Sequence, residues 1–417
     1  MALTAPQFHG IVDALARVIP FTQPADAVMS GFFRDRPKLG SRDRHVIAET
    51  VYASLRRFVY LSALVAPEVT PRRLAIASLL RVRGHNVREI SEHLKDSEKD
   101  FAGEVKARQP ELDLAGQAEL PAWVVERLGL ADDEVLALGR ALQQAAPLDL
   151  RVNTIKAKRE KVLERLAADA IEATETPYSP VGVRLKEKFA LQKHPLFTEG
   201  WVEVQDEGSQ LLAQLLGAKR GEMIVDFCAG AGGKTLSLAA AMANTGRVYA
   251  FDVSEKRLNN LAPRLKRSGL SNIQPVLISS EHDARVKRLA GKIDRVLVDA
   301  PCSGMGTLRR NPDLKFRQSP ESVAELNVKQ AAILDAAANL LKPGGRLVYA
   351  TCSLLPEENQ GIVQAFLAKH PDFALVPARE LLTRQELDTG EFLQLYPHKH
   401  NTDGFFAAVL TRQAGAA

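Results

Sequence analysis

Between residues 223 and 351 the chain alternates short apolar, β-rich runs with helical stretches. The runs are MIVDF (223–227), RVYAF (247–251), QPVLI (274–278), DRVLV (294–298) and RLVYAT (346–351). Segments that are apolar at nearly every position, not at every second one, belong to strands buried on both faces, and strands separated by helices pair in parallel. The intervening LSLAAAMA, SEKRLNNLAPRLKRSG and a long stretch from 320 to 341 read as those helices, the last stopped by Pro343-Gly344-Gly345. Pro263 falls inside one of them and predicts a kink or an early stop. FALV (373–376) and FFAAVL (405–410) are expected to close the sheet as an antiparallel pair. An α/β fold with a doubly wound sheet follows, and its ligands belong outside the carboxyl ends of the strands.

The first strand runs into IVDFCAGAGGKT (224–235). A phosphate-binding loop needs G-x-x-x-x-G-K-[ST], and Cys228 stands where its first glycine belongs; the dinucleotide pattern G-x-G-x-x-G fails at Thr235. What remains is an acid followed by small residues at every second position, Asp226, Cys228, Gly230 and Gly232, leading into a helix. That pattern suits a loop whose backbone passes against S-adenosylmethionine with no side chain between. Asp252, at the end of the second strand and about 20 residues on, is placed to accept from both ribose hydroxyls. Asp299 ends the fourth strand; as a magnesium-holding acid it is the one asset of a competing nucleotide-triphosphatase reading, and Pro301-Cys302 directly after it argues against that role.

Cys302 follows the fourth strand and Cys352 the fifth, which predicts both thiols on the rim that carries the glycine loop. The spacing PCxxC of zinc deaminases is broken by Met305, no CxxC pair exists, and no metal is expected. A methyl donor and a thiol together suit methylation at C5 of a pyrimidine. C5 is a poor nucleophile until a thiolate adds to C6, and a base must later remove the C5 proton so that the thiol can leave. Spacing alone does not say which cysteine attacks.

The remaining 200 residues read differently. Residues 31–90 hold twelve Lys and Arg against five acids, a local +7 in a chain whose net charge is +5. Nearly all these cations are Arg, which favours contact with a nucleic-acid backbone. Apolar positions recur at three and four through residue 115, so a helical, basic domain is expected over 1–118. A small α+β linker module is expected over 119–204, with a helix near 156–168 and a last strand ending near Leu191, and the catalytic domain over 205–417. No apolar run approaches the roughly 20 residues of a membrane span. The N-terminus MALTAPQFHG has no secretory pattern, so a cytoplasmic chain is expected, and a monomer.

In combination, QDEGSQL (205–211), DFCAGAGGKT (226–235), FDVS (251–254), DAPCSGMG (299–306), RRNPDLK (309–315), YATCSLLPEEN (349–359) and TDGFFAA (402–408) resemble the Sun (RsmB-type) family of RNA cytosine-C5 methyltransferases. SRDRHVIAETVYASLRR (41–57) resembles the NusB-like RNA-binding domain that precedes the catalytic part in bacterial members. The resemblance implies a class I, Rossmann-like S-adenosylmethionine-dependent methyltransferase acting on RNA, 16S ribosomal RNA ahead of tRNA. It assigns Cys352 as the nucleophile at C6, Cys302 to product release, and Asp299 to the cytosine ring. Cys228, Ala229, Gly230, Ala231, Gly232, Gly233, Lys234 and Asp252 would hold the donor. Gly230-Ala231 replaces the usual Ala-Pro, both small. The third-strand acid is displaced: VLISSEHDAR offers Asp283 about three residues late. The basic loop Arg309, Arg310, Lys315, Arg317 is expected to face the substrate backbone. An alternative of another class is an RNA-binding assembly factor that keeps the fold without the activity.

Overall fold

A computed structural model describes residues 3–187, 189–382, 387 and 389–414. The chain forms two compact units: Met1–Ala145 with Thr307–Pro320, and Ala146–Gly306 with Glu321–Ala417.

The first unit is helical among its described residues. Some of its helices begin where the sequence supplies caps: Thr4 and Gln7 form a capping box for Ala5–Val18, and Thr70 accepts from Arg73 N ahead of Pro71–Arg81. Phe8, Ile11 and Leu15 from the first helix meet Ile47, Val51 and Leu55 from Ser41–Arg56 in one apolar core. Gly10 lets these two helices touch, since a Cβ there would lie 2.4 Å from Ile47 Cδ1.

Many of the arginines that gave this region its charge have structural employment. Arg72 pairs with Glu98 and lies over the Phe8 ring, and Arg36 pairs with Asp13 above Phe32. Arg81 donates to the carbonyls of Val105, Lys106 and Arg108, the orphan acceptors at the end of the helix Asp96–Ala107. Arg34, Lys38, Arg83 and Arg88 stay exposed.

The same unit contains residues 307–320, and Lys315 of the basic loop is not where it was expected. Phe316 stacks on Phe21 at 4.4 Å and meets Phe58 edge-on at 5.1 Å. Lys315 is buried, donating to Glu119 Oε2 at 3.1 Å and to the carbonyls of Glu119 and Arg56 at 2.9 and 3.2 Å. Arg309 is buried as well, and its carbonyl accepts from the Arg56 guanidinium. Lys315 therefore serves the unit's own packing, because a buried charge needs a partner.

The second unit holds two sheets. A small antiparallel sheet is built from β1 (Leu148–Val152), β2 (Ala173–Glu175), β3 (Gly182–Leu185) and β4 (Val202–Val204) in the order β2-β3-β1-β4, backed by a helix over Arg159–Ala168. β3 stops at Leu185, short of the expected end; Leu191 opens a 3₁₀ turn instead.

The large sheet comprises β5 (Met223–Asp226), β6 (Arg247–Asp252), β7 (Ile273–Leu277), β8 (Ile293–Asp299), β9 (Leu341–Thr351), β10 (Phe373–Val376), β11 (Leu393–Leu395) and β12 (Phe405–Arg412). Its order is β10-β12-β9-β8-β5-β6-β7, with β11 on β12. The strands from β9 to β7 are parallel, and β12 pairs antiparallel with both β9 and β10, as expected of the closing pair. The chain turns one way from β5 to β6 and the other from β8 to β9, so the switch point lies between β5 and β8.

Three local outcomes have simple causes. Pro275 is tolerated because β7 is an edge strand. Pro263 does not stop the helix Glu255–Ser268: Pro263 and Asn259 are both exposed, so the carbonyl deprived of its amide partner faces water. Pro343-Gly344-Gly345 is no helix stop. The helix Pro320–Ala338 has already ended, and the three residues form a bulge in β9, where the pairing jumps from Ile293↔Leu341 to Arg295↔Arg346 and Gly344 takes φ +77°.

Candidate active site

Parallel register brings the functional positions to one edge. β5, β6, β8 and β9 end at Asp226, Asp252, Asp299 and Thr351, so the glycine loop, both carboxylates and both cysteine loops leave the sheet on the same side. The glycine loop turns sharply: Gly230 and Gly232 have φ +57° and +80°. A Cβ on Gly232 would lie 2.2 Å from Leu261 Cδ1, so the turn is pressed onto the helix behind it, whereas one on Gly230 would meet nothing within 4 Å. The face that Gly230 presents is therefore open to a ligand.

Asp252 ties the loop to β6. Its Oδ2 accepts from Gly230 N at 2.8 Å and its Oδ1 from Ser254 N at 2.7 Å, which leaves lone pairs on both oxygens for ligand hydroxyls. Next to it Val253 is 63% exposed, and Leu277, at the end of β7, is 41% exposed. Two large apolar side chains left in water at adjacent strand ends offer a surface to a flat heteroaromatic ring; sequence reading passed over both. The donor set, with an open glycine turn, a carboxylate and apolar walls, fits S-adenosylmethionine.

Asp283 caps the short helix Ala284–Lys287: its carboxylate accepts from Arg285 N, Ser279 N and Ser279 Oγ, and these donors hold its pKa below the usual range. Cys228 and Ala229 lie behind the loop, with Ala229 N bonded to Phe251 O. Burial pushes the Cys228 thiol well above its ordinary value, which suits packing.

Two arginines grip the loop from behind. Arg264 donates to Ala231 O at 2.7 Å and pairs with Glu203 of β4; Arg151 of β1 donates to Gly233 O and to Gln205 Oε1. Arg151 is wholly buried, and burial lowers its pKa to about 10. The small sheet is thus part of the donor site's foundation, a role no local sequence signal gave away.

Asp226 is buried against the loop. One oxygen accepts from Thr235 Oγ1 at 2.6 Å, and burial raises its pKa to about 7. Lys234 donates to Asp299 Oδ2 at 2.6 Å. Burial opposes the lysine's charge, but the adjoining Asp299 carboxylate outweighs it and keeps the pKa above the usual lysine value. A fixed cation therefore stands beside Asp299 at the switch point.

The two sulfurs face each other: Cys302 Sγ and Cys352 Sγ are 3.3 Å apart, both half-buried. The hydrogen bond with Cys352, followed by burial, raises the Cys302 pKa well above an ordinary thiol's. Beneath them the serines that follow each cysteine converge on Glu358. Ser303 N donates to its Oε1 at 2.8 Å, both hydroxyls donate to its Oε2, and Gln330 Nε2 donates to Oε1 at 3.0 Å. YATCSLLPEEN was singled out for its cysteine, and the buried Glu358 within it was missed. Among the described residues no cluster of His, Cys, Asp or Glu has metal-holding geometry, and no helix is long and apolar enough to cross a membrane.

The chain is similar to known proteins. Residues 213–411 match the family model described as 16S rRNA methyltransferase RsmB/F, and residues 120–192 match the ferredoxin-like domain of RsmF/B-like methyltransferases. A Synechocystis protein described as "Probable ribosomal RNA small subunit methyltransferase B" is 39% identical over 311 residues, covering 73% of this chain and 69% of its own. A Bacillus subtilis protein of the same description is 30% identical over 421 residues, covering 90% and 92%. The crystal structure of a methyltransferase homolog protein from Pyrococcus horikoshii superposes with a TM-score of 0.63 at 30% identity, covering 72% of this chain and 98% of that one. With relatives of 30% identity or more matched over two thirds or more of their length, the chain belongs to the RsmB/F family of 16S rRNA methyltransferases, which use S-adenosylmethionine.

Proposed function

We propose that this protein methylates C5 of a cytosine in RNA, 16S ribosomal RNA in particular, through a covalent bond from Cys352 to C6 of the base. The observation that carries the reading is the 3.3 Å approach of two thiols at the ends of adjacent strands, beside a Lys234–Asp299 ion pair and an open glycine turn. When bound, S-adenosylmethionine supplies an electrophilic methyl group. Gly230 and Gly232 shape its cradle, Asp252 orients its ribose, and Val253 and Leu277 flank its ring.

Cys352, as thiolate, adds to C6 and pushes electron density to C5, while Asp299 accepts from the base's exocyclic amine and fixes its orientation. After C5 carries the methyl, its proton leaves to a base, the C5–H electrons restore the C5–C6 double bond, and the C6–S bond returns its pair to Cys352. Cys302 suits that base. Its Sγ lies 3.3 Å from the attacking sulfur, next to where the cytosine would be held. The base must be unpaired or flipped out to reach the sulfurs. The helical domain, expected over 1–118, and the linker module are proposed to dock structured RNA, the former through its exposed cations such as Arg34, Lys38, Arg83 and Arg88. A cytoplasmic monomer fits this work.

The test is tritiated methyl transfer from S-adenosylmethionine to 16S rRNA and to tRNA, with bisulfite mapping of the product. The wild type is expected to label one or a few cytosines of 16S rRNA, and Cys352→Ala none. Donor binding without incorporation into any RNA would instead identify an assembly factor. Cys302→Ala is expected to trap a slow-migrating RNA–protein adduct on denaturing gels.

A further inference from the structure

Cys302 and Cys352 lie fifty residues apart in sequence. Their loops meet directly through Gly306 N to Cys352 O at 2.9 Å and the contact of Ser303 Oγ with Ser353 Oγ at 3.2 Å, and the carboxyl of Glu358 ties them together from beneath. It is fully buried and takes four donors, all uncharged: Ser303 N, Ser303 Oγ, Ser353 Oγ and Gln330 Nε2. The two loops do not depend on it equally. The Cys352 loop has ties that bypass this side chain: Asn359 Nδ2 donates to Ser353 O at 3.1 Å, Thr351 Oγ1 donates to Asn359 Oδ1, and Tyr349 OH donates to the backbone carbonyl of Glu358 at 2.6 Å. The Cys302 loop meets the carboxyl through both the amide and the hydroxyl of Ser303. It meets it again through Gln330, which holds Pro301 O at 2.9 Å and is itself aimed by Oε1. Removing the carboxyl takes an acceptor from Ser303 N, Ser303 Oγ, Ser353 Oγ and Gln330 Nε2; three of these four bonds hold 301–303, directly or through Gln330, so that segment loses most.

We propose that Glu358 is a positioning residue that holds Cys302 in register with Cys352, so that its loss leaves attack on C6 in place and slows release of the methylated base. The inference rests on the division of labour between the thiols proposed above. Its physical basis is that proton transfer demands hydrogen-bond reach, and a displacement of about 1 Å is enough to defeat it. A merely structural acid would lower both steps together.

The experiment compares full-length wild type, Glu358→Ala, Glu358→Gln and Cys302→Ala, each with transcribed 16S rRNA and tritiated S-adenosylmethionine. Adduct is read on denaturing gels and turnover from free methylated RNA. Glu358→Ala is expected to form adduct within about threefold of the wild-type rate and to accumulate at least half the Cys302→Ala level. Its turnover should fall at least tenfold, while its donor affinity stays within about threefold. Glu358→Gln keeps one acceptor oxygen, and the serine hydroxyls can rotate to accept from its amide, so turnover should recover to within about threefold. Parallel loss of adduct and turnover in Glu358→Ala, or no rescue by Gln in soluble protein, overturns the proposal. If Cys302→Ala itself traps nothing, the assignment of the thiols fails, and positioning is judged by alkylation: iodoacetamide, mapped by mass spectrometry, should label Cys302 at least tenfold faster in Glu358→Ala and leave Cys352 within about threefold. Equal labelling of Cys302 in both proteins would overturn the proposal by that route. Should Glu358→Ala not fold, Ser303→Ala must shift both readouts the same way by a smaller factor, and an unchanged Ser303→Ala counts against the idea.

Discussion

Replacing Lys315 by Met separates two meanings of a basic residue in a loop. If the ammonium served RNA, the substitution would weaken binding and flatten its salt dependence by about one charge, leaving stability alone. The structure assigns it otherwise: Nζ is buried with Glu119 and makes three hydrogen bonds, two of them to carbonyls of the helical unit. Burial lowers the lysine's pKa against the pull of Glu119, so the pair is held by mutual need. Met matches the stem but leaves the Glu119 carboxylate, among the described residues, with the amides of Val59 and Tyr60 as its donors. Breaking one side of a buried pair costs about 3–5 kcal/mol, which for a slope of about 2–3 kcal/mol per molar moves the urea midpoint down by about 1–2.5 M. Lys315→Met with Glu119→Gln should regain more than half of that, since no unpaired charge is left. Urea unfolding followed by circular dichroism and RNA binding over a salt series read the two quantities side by side. A midpoint within about 0.3 M of wild type together with a flattened salt slope would refute the assignment.

Three further outcomes follow from the donor site. Gly232→Ala must fit a side chain at φ +80° against Leu261, so it should lose about 1–3 kcal/mol of stability and raise KM for S-adenosylmethionine; unchanged KM and melting temperature would contradict the tight turn. Asp252→Ala removes the acceptor of Gly230 N and the carboxylate proposed to take the ribose hydroxyls, and calorimetry should show donor affinity down at least tenfold with the fold retained. Asp226, ordinarily near 3.8, sits at about 7 in the fold because burial disfavours its charge. Between those values the folded chain keeps a proton the unfolded chain has lost, so stability falls as pH rises from about 4 to 7 and levels off above. Asp226→Asn, neutral throughout, should therefore gain on the wild type in thermal melts from pH 5 to pH 8; parallel curves would dismiss the shift.

The large sheet was legible because four of its five apolar runs lead into a residue with chemistry: Asp226, Asp252 and Asp299 close β5, β6 and β8, and Cys302 and Cys352 follow β8 and β9. Period and punctuation carry that much. They do not carry partnership across the chain. Lys315 reads as a loop cation until Glu119, 196 residues earlier, is placed beside it, and Glu358 reads as a surface acid until Ser303 and Ser353 close over it. Pro343-Gly344-Gly345 misled for a related reason. Its composition signals a break, and only the register of β8 against β9 decides that the break is a bulge inside a strand. The three-residue β4 was too short to show any period, yet its Glu203 anchors Arg264 at the donor loop.

The helical unit is assembled from two stretches of chain, and the second, Thr307–Pro320, is spliced between the Cys302 loop and the helix that carries Gln330. No single proteolytic nick or gene fusion point can part the units cleanly. An N-terminal fragment would leave behind Lys315 and Phe316, and a catalytic fragment would carry them bare into solvent. A lineage that discarded the helical domain would have had to redraw this excursion as well, so domain loss and active-site loop length should be inherited together.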